Sequence, residues 1–498
     1  MAETMQGIGK MYIGGDWVEA ASGKTRDITN PATGERIAVV TEGGLEDVQR
    51  AIQLARHTFD ETNWRDTSSR ERARLLFALA DQIEAHADEL ARLETLNNGK
   101  PLGEAESDVS SAVSCFRYYA GLITKPHGQT YEVPYPIQAM VVREPVGVCG
   151  QIVPWNFPLM MAAWKLAPCL GAGNVTVFKP SEITPLTAIR LFELIEKVGF
   201  PKGVANLVLG DGKTVGAELA ASGLVDKVAF TGGTETGRSV MRAAAGNIKK
   251  VSLELGGKSP NIVFADADPS VVAEYVMYGI YIGSGQVCSS GSRLLIQDEI
   301  YDAFMKELVE RTNLIRVGNG MDAGTEMGPL VSQAHMEKVL SYIEIGRQEG
   351  ATVAAGGSRI TVGEFAKGNF VEPTILTDTT PDMRVVQEEI FGPVLVVQRF
   401  KDEEEAIRLA NGTVYGLAGA VFTNDASRSM RVARKVRSGI MWVNTYHPTY
   451  NEAPWGGFKQ SGLGRELGTF GLDEYTEVKQ INVNMELKPL GFYKGKGE

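Results

Sequence analysis

Cysteine and histidine are scarce in this chain of 498 residues, which has four of the first and five of the second. Cys115, Cys149, Cys169 and Cys288 form no close pairs. A disulfide framework is therefore not expected, and a reducing compartment, the cytoplasm, is. His57, His86, His127, His335 and His447 build no HExxH and no metal-spaced cluster, so zinc hydrolysis has no support and no metal is expected. Dense basic runs are missing too: 50 lysines and arginines stand against 61 acids, a net charge of -11. Phosphate-backbone binding needs a positive footprint, so nucleic acid is an unsuitable partner. Long apolar runs are absent. The longest uncharged window, 145–164, holds Pro145, Pro154, Pro158, Gln151 and Asn156, and no basic stretch followed by an apolar core opens the chain. Neither a membrane span nor a signal peptide is expected.

What is present is an ordinary globular composition, 43% apolar and 8% aromatic; at about 150 residues per domain it suggests two to three domains. Residues 11–130 open with short strand-like pieces and continue in one long helical pattern over 69–96. There Leu75, Leu76, Leu79, Ile83, Leu90 and Leu93 recur near helical spacing. Over 146–264, short apolar runs (146–153, 175–178, 204–209, 228–230, 251–253, 262–264) alternate with helical segments. Such alternation predicts a parallel sheet, because parallel strands need crossover connections. A second α/β region runs from about 270 to 458. Its strands are expected near 294–296, 394–397, 420–422 and Ile440–Val443, its helices near Tyr301–Thr312 and 403–410. Residues 474–484 read as extended and 494–498 as frayed; no internal repeat is evident.

Two Gly-Lys-[Ser/Thr] triplets, at 212–214 and 257–259, fail as phosphate loops because Leu207 and Ser252 stand where the motif needs glycine. A strict GxGxxG is also missing. Phe230-Thr231-Gly232-Gly233-Thr234-Glu235-Thr236-Gly237 follows an apolar run and precedes a helical stretch. Such a turn can bring backbone amides and a helix N-terminus to a pyrophosphate, or it can be a tight turn only. Cys288 lies in Gly283-Ser284-Gly285-Gln286-Val287-Cys288-Ser289-Ser290-Gly291, small on both sides; a lone cysteine is otherwise a small buried hydrophobe. Glu254 ends the apolar run of Leu253-Glu254-Leu255-Gly256-Gly257, where burial would raise its pKa towards that of a useful base. The alternative is an acid satisfied at a turn. Asn156 stands between Pro154 and Pro158, which stiffen it as a fixed oxyanion donor would need to be.

Taken together, seven blocks resemble the aldehyde dehydrogenase superfamily over nearly the whole chain: 153–159, 179–185, 230–237, 253–260, 285–288, 388–394 and 454–468. The resemblance implies an α/β fold of aldehyde dehydrogenase type. It has a Rossmann-type dinucleotide-binding domain (1–122 and 142–259), an α/β catalytic domain (260–476) and a small β oligomerisation arm (123–141 and 477–498). Homodimers or homotetramers are expected with it. It implies NAD as cofactor and a small-molecule aldehyde as substrate. Residue by residue, it makes Cys288 the nucleophile, Glu254 the general base and Asn156 an oxyanion donor with the Cys288 amide; Lys165 and Glu466 match proton-relay positions. Val153, Trp155, Lys179 and Glu182 match adenosine and ribose contacts, Gly232, Gly233 and Gly237 the pyrophosphate turn, and Glu389 with Phe391 the nicotinamide-ribose side. Gly233 departs from the serine of many relatives, which puts cofactor grip in question.

Within the superfamily the segment 442–455 is similar to the betaine-aldehyde and aminoaldehyde branch. Trp164 and Trp455 match positions that cage a quaternary ammonium there, a cation–π use, and Glu452 would add attraction if it points inward. Phe157 stands where tyrosine is usual and Ile282 where an aromatic is common; Tyr450 completes the expected substrate set. The alternative is that these side chains line an apolar tunnel for aliphatic or aromatic aldehydes. A Cys–His hydrolase using Cys288 with His335 or His447, a CoA-acylating enzyme, and a non-catalytic relative are the remaining readings.

Overall fold

The computed structural model describes residues 7–125 and 128–493; the tail read as frayed and His127 lie outside the described residues. The polypeptide builds two large sheets. In the first, five strands run parallel: Val148–Ile152, Val175–Lys179, Ala205–Leu207, Lys227–Thr231 and Lys250–Glu254. All but the last are buried on both faces, as crossover helices on both sides require. The spatial order reverses at Val148–Ile152, which has Val175–Lys179 on one side and Lys227–Thr231 on the other. The chain leaves these neighbouring strands in opposite directions, and a crevice opens at their carboxyl ends.

The second sheet has seven strands, in the order Thr352–Ala355, Thr374–Thr377, Val394–Phe400, Arg293–Gln297, Pro260–Val263, Ala418–Phe422 and Ile440–Val443. All pairs are parallel except the antiparallel edge at Thr352–Ala355. The apolar run at 262–264, expected as the last strand of the first α/β region, belongs to this second sheet, beside Arg293–Gln297 and Ala418–Phe422. In return, Gly462–Leu463 crosses back and pairs antiparallel with Leu253 and Glu254. The glycine-rich turn after Glu254 is thus the point where the chain passes from one sheet to the other.

The helical pattern expected over 69–96 is two helices, Ser69–Ala85 and Ala87–Asn98. His86 breaks it with φ -116°, ψ 23°, closing the first helix as its C-cap and opening the second as its N-cap. Apolar periodicity survives the break because Ile83 and Leu90 still face the same core, which is why the pattern alone reads as one helix. A third sheet joins Gln129–Tyr131, Ile137–Pro145 and Thr476–Asn484. Two of its strands cross the boundaries expected at 141 and 477, one running on to Pro145 and the other starting at Thr476, opposite it. Val478, Ile481 and Val483 are exposed on it. No helix among the described residues is long and apolar enough to cross a membrane.

Candidate active site

Cys288 follows a strained turn and precedes Arg293–Gln297, the central strand of the second sheet. Gly283, Ser284 and Gly285 all have positive φ, Ser284 at 57°, a conformation that costs a non-glycine residue energy unless its surroundings hold it. Ser284 is held by its hydroxyl, which donates to the Gly328 carbonyl at 2.8 Å. At Gly285 no other residue fits, since a Cβ would fall on the Gly392 carbonyl. Beyond the turn, the Tyr446 hydroxyl donates to the Ser289 carbonyl at 2.8 Å. The small-residue surroundings of Cys288 are therefore a fixed scaffold. The thiol itself is half-buried, and burial, then Glu389, then Glu254 push its pKa up to about 12. Iodoacetamide alkylation of the cofactor-free protein should accordingly rise about tenfold per pH unit from pH 7 to 10, because only the thiolate reacts. A rate plateau below pH 9 would contradict that.

Glu254 is the last residue of its strand, buried, and neither carboxylate oxygen has a hydrogen-bond partner. Burial and the nearby Glu466 hold its pKa well above the ordinary range, against the pull of Lys165 and Arg465. Lys165 is fully buried and ion-paired to Glu466, whose second oxygen is also unpartnered. Glu466 is placed by a two-way backbone pairing with Trp455, at 2.7 and 2.8 Å. The three groups assigned to base and relay therefore form one buried cluster.

Asn156 is buried and its Nδ2 donates to the Gln286 carbonyl at 2.8 Å, while Oδ1 has no partner. That bond ties it to the Cys288 loop and leaves the second N–H of the amide to a ligand. Behind it lies a charged network that the sequence reading missed. Lys100 is buried, donates to the Asn156 carbonyl at 2.8 Å, pairs with Asp108, and sits 4.3 Å from the Phe157 ring centroid. Glu104 accepts from the Gly283 N–H at 3.0 Å, and burial raises its pKa to about 8. The four-residue spacing of Lys100, Glu104 and Asp108 was the available signal, but it reads equally as a solvated face.

The cofactor-side residues gather at the crevice. Val153 N–H donates to the Lys179 carbonyl at 3.1 Å. Lys179 Nζ donates to the Pro180 carbonyl at 2.9 Å and lies 3.5 Å from Glu182 Oε2; burial lowers its pKa. Gly233 caps the helix Thr234–Ala244, and Gly232 N–H donates to the Glu254 carbonyl at 3.0 Å. A Cβ at Gly233 would meet nothing within 4 Å, so packing does not impose the missing serine. Gly237 packs on Leu255, leaving no room for a side chain. Thr231 Oγ1 is buried without a partner. Glu389 Oε1 accepts from the Gly257 N–H at 2.9 Å, and burial raises its pKa to about 7. Trp155 and Phe391 meet edge to face at 5.3 Å, with His335 against both. An open helix N-terminus, an orphaned hydroxyl, and a lysine and a glutamate at the switch point fit a dinucleotide.

The expected substrate residues separate into two groups. Trp164 and Trp455 are buried and packed edge to face at 5.6 Å, with Trp442 beyond at 6.4 Å from Trp455. Phe157 and Ile282 are half-buried. Tyr450, 63% exposed, and Glu452 lie on the surface. The attraction expected from an inward-pointing Glu452 is therefore absent from the structure. Neither histidine offered to the hydrolase reading reaches Cys288 by a hydrogen bond. His335 Nε2 lies 2.7 Å from the Phe391 carbonyl and His447 Nε2 3.3 Å from the Gly279 carbonyl, and burial lowers both pKa values to about 4.

Fold and site define an α/β protein with a dinucleotide-type crevice at the switch point of one sheet, a half-buried cysteine and a buried, unpartnered carboxylate. The chain belongs to the aldehyde dehydrogenase family, whose sequence profile matches residues 17–481. It is 52% identical to betaine aldehyde dehydrogenase of Bacillus subtilis (strain 168), covering 95% of this chain and 97% of that one. With retinal dehydrogenase 2 of Homo sapiens the identity is 44%, over 96% and 92% of the two chains. A crystal structure of betaine aldehyde dehydrogenase from Staphylococcus aureus in complex with NAD+ superposes with a TM-score of 0.97 at 48% identity, covering 98% of this chain and 97% of that one.

Proposed function

We propose that this protein oxidises an aldehyde to the carboxylic acid with NAD, through covalent attachment of the substrate to Cys288. The observation that carries the reading is Glu254, a buried carboxylate with two free oxygens whose charge reaches the Cys288 thiol. Cys288, once deprotonated, adds to the carbonyl carbon, and the developing oxyanion takes the free N–H of Asn156 and the Cys288 amide. NAD, when bound, accepts the hydride that leaves that carbon. The remaining thioester is hydrolysed by a water whose proton passes to Glu254, and from there to the Glu466–Lys165 pair. Val153, Trp155, Lys179 and Glu182 hold the adenosine end, Gly232, Gly233 and Gly237 the pyrophosphate, Glu389 and Phe391 the nicotinamide ribose. The test is aldehyde-dependent appearance of reduced nicotinamide with the acid as product. Product formed without nicotinamide reduction would indicate a hydrolase, and a requirement for CoA an acylating enzyme.

Cofactor choice follows from charge. Glu182 accepts hydrogen bonds from the ribose hydroxyls, and its carboxylate repels an added phosphate more than Lys179 attracts it. NAD is therefore expected to exceed NADP in kcat/KM by at least about tenfold, or about 1.4 kcal/mol. Equal efficiency with NADP would overturn the assignment of Glu182.

For the substrate, the reading is betaine aldehyde or an ω-aminoaldehyde, supported by Trp164 and Trp455 and by the named activity of the bacterial relatives. Each aromatic face contributes about 0.5–2 kcal/mol to a bound cation. A second reading, an apolar tunnel for neutral aldehydes, is favoured by two observations: Lys100 already covers the Phe157 ring, and Glu452 is exposed. Betaine aldehyde is expected to show a higher kcat/KM than neutral 3,3-dimethylbutanal, and Trp455→Ala to erase most of the difference. Equal use of both aldehydes by the wild type would select the apolar tunnel. Assembly as homodimers or homotetramers is supported by the exposed apolar residues of the third sheet, and a cytoplasmic location by four free cysteines.

A further inference from the structure

The Gly257-Lys258-Ser259 triplet, which fails as a phosphate loop, carries a different feature. Lys258 follows the crossing between the two sheets, and its side chain is 2% exposed with no hydrogen-bond partner at Nζ. It lines a narrow pocket with room for about one water molecule, together with Pro260, Arg293, Tyr415, Val436 and Ser438, and the pocket opens towards solvent at the exposed Arg437. Arg293 is also buried, and its guanidinium donates only to carbonyls: Lys258 at 2.9 Å, Leu409 at 2.8 Å and Ala410 at 2.7 Å. Close by, Lys459 donates to the carbonyls of Asn411 at 3.3 Å and Thr413 at 2.8 Å. The carboxylates whose charge reaches Lys258 are engaged elsewhere. Glu389 holds the Gly257 N–H, and Glu388 is taken by Tyr342 at 2.6 Å and Arg384 at 2.8 Å.

We propose that this cavity is a binding site for a small monovalent inorganic anion of the size of chloride, held between Lys258 Nζ and the Arg293 guanidinium. Two buried cations beside one cavity without a counter-charge are costly, because charges out of water need a partner of opposite sign. The protein can relieve the cost by leaving Lys258 neutral or by admitting an anion. Burial and Arg293 lower the Lys258 pKa to about 7, so near neutral pH the amine is readily returned to its charged form when an anion enters. The cavity's size selects a single-atom ion and rejects sulfate. Because Lys258 adjoins Gly257, the occupant also sets the charge felt by Glu389, on the cofactor side of the site.

Crystals of the full chain grown without halide and soaked in bromide should show an anomalous peak in contact with Lys258 Nζ. In solution, replacing gluconate by chloride at constant ionic strength should raise Tm saturably by about 1–3 °C. Sulfate should not reproduce that rise. Lys258→Met is expected to lose both the peak and the chloride-specific rise; if that variant does not fold, the wild-type bromide map decides alone. Bromide peaks elsewhere with none in the cavity overturn the proposal. So does a peak that persists in Lys258→Met, an adventitious ion only, or a Tm rise equal in sulfate.

Discussion

Cys288→Ala is expected to abolish aldehyde oxidation while leaving the NAD dissociation constant within about twofold of wild type. An aldehyde carbon gives up hydride only after a nucleophile has made it tetrahedral and placed negative charge on its oxygen, and Cys288 is the group proposed to do so. Removing it removes every later step, so kcat should fall by at least about 10⁴-fold. The proposed adenosine and pyrophosphate contacts lie on the other sheet, at the ends of Val148–Ile152, Val175–Lys179 and Lys227–Thr231, and do not depend on the sulfur. Isothermal titration with NAD and a steady-state assay on one preparation separate the two effects. Appreciable turnover in the variant would remove Cys288 from its role, whatever the binding result.

Glu254→Gln is expected to separate the two halves of the reaction. Glutamine keeps the size of the side chain but cannot take a proton from water, so hydride transfer survives and thioester hydrolysis slows by about 10²–10⁴-fold. Rapid mixing should show a burst of reduced nicotinamide close to one equivalent per site, followed by a slow steady state. Fold stability should not suffer, because the carboxylate oxygens have no partners to lose and the substitution removes a like charge facing Glu466. Loss of the burst in a variant that still binds NAD and aldehyde would move Glu254 to an earlier step, deprotonation of Cys288. The raised thiol pKa makes that outcome a sharp one to look for.

Strand ends and glycines were the most legible parts of this protein. Alternating apolar runs marked the strands at 175–178, 228–230 and 251–253 within two residues of Val175–Lys179, Lys227–Thr231 and Lys250–Glu254. Helix Tyr301–Thr312 was legible to the residue because its apolar periodicity and boundaries are local. The break at His86 was not, since the core face continues across it. The exchange of 262–264 and Gly462–Leu463 between sheets was not either, because strand partnership is a long-range choice that leaves no mark on a strand's own alternation.

The sequence by itself determined which groups are proposed to carry the chemistry: a cysteine among small residues, a glutamate closing an apolar strand, an asparagine between prolines and a glycine turn before a helix. These are properties of a few neighbouring residues, and backbone sterics and side-chain chemistry act at that range. Only the tertiary structure decided their charge states and surroundings. The Cys288 pKa near 12, the Lys165–Glu466 pair beside Glu254, Lys100 behind Asn156 and the cationic cavity at Lys258 each join residues far apart in the chain. Desolvation and Coulomb energy depend on which distant segments exclude water and which charges they bring, and sheet order settles both.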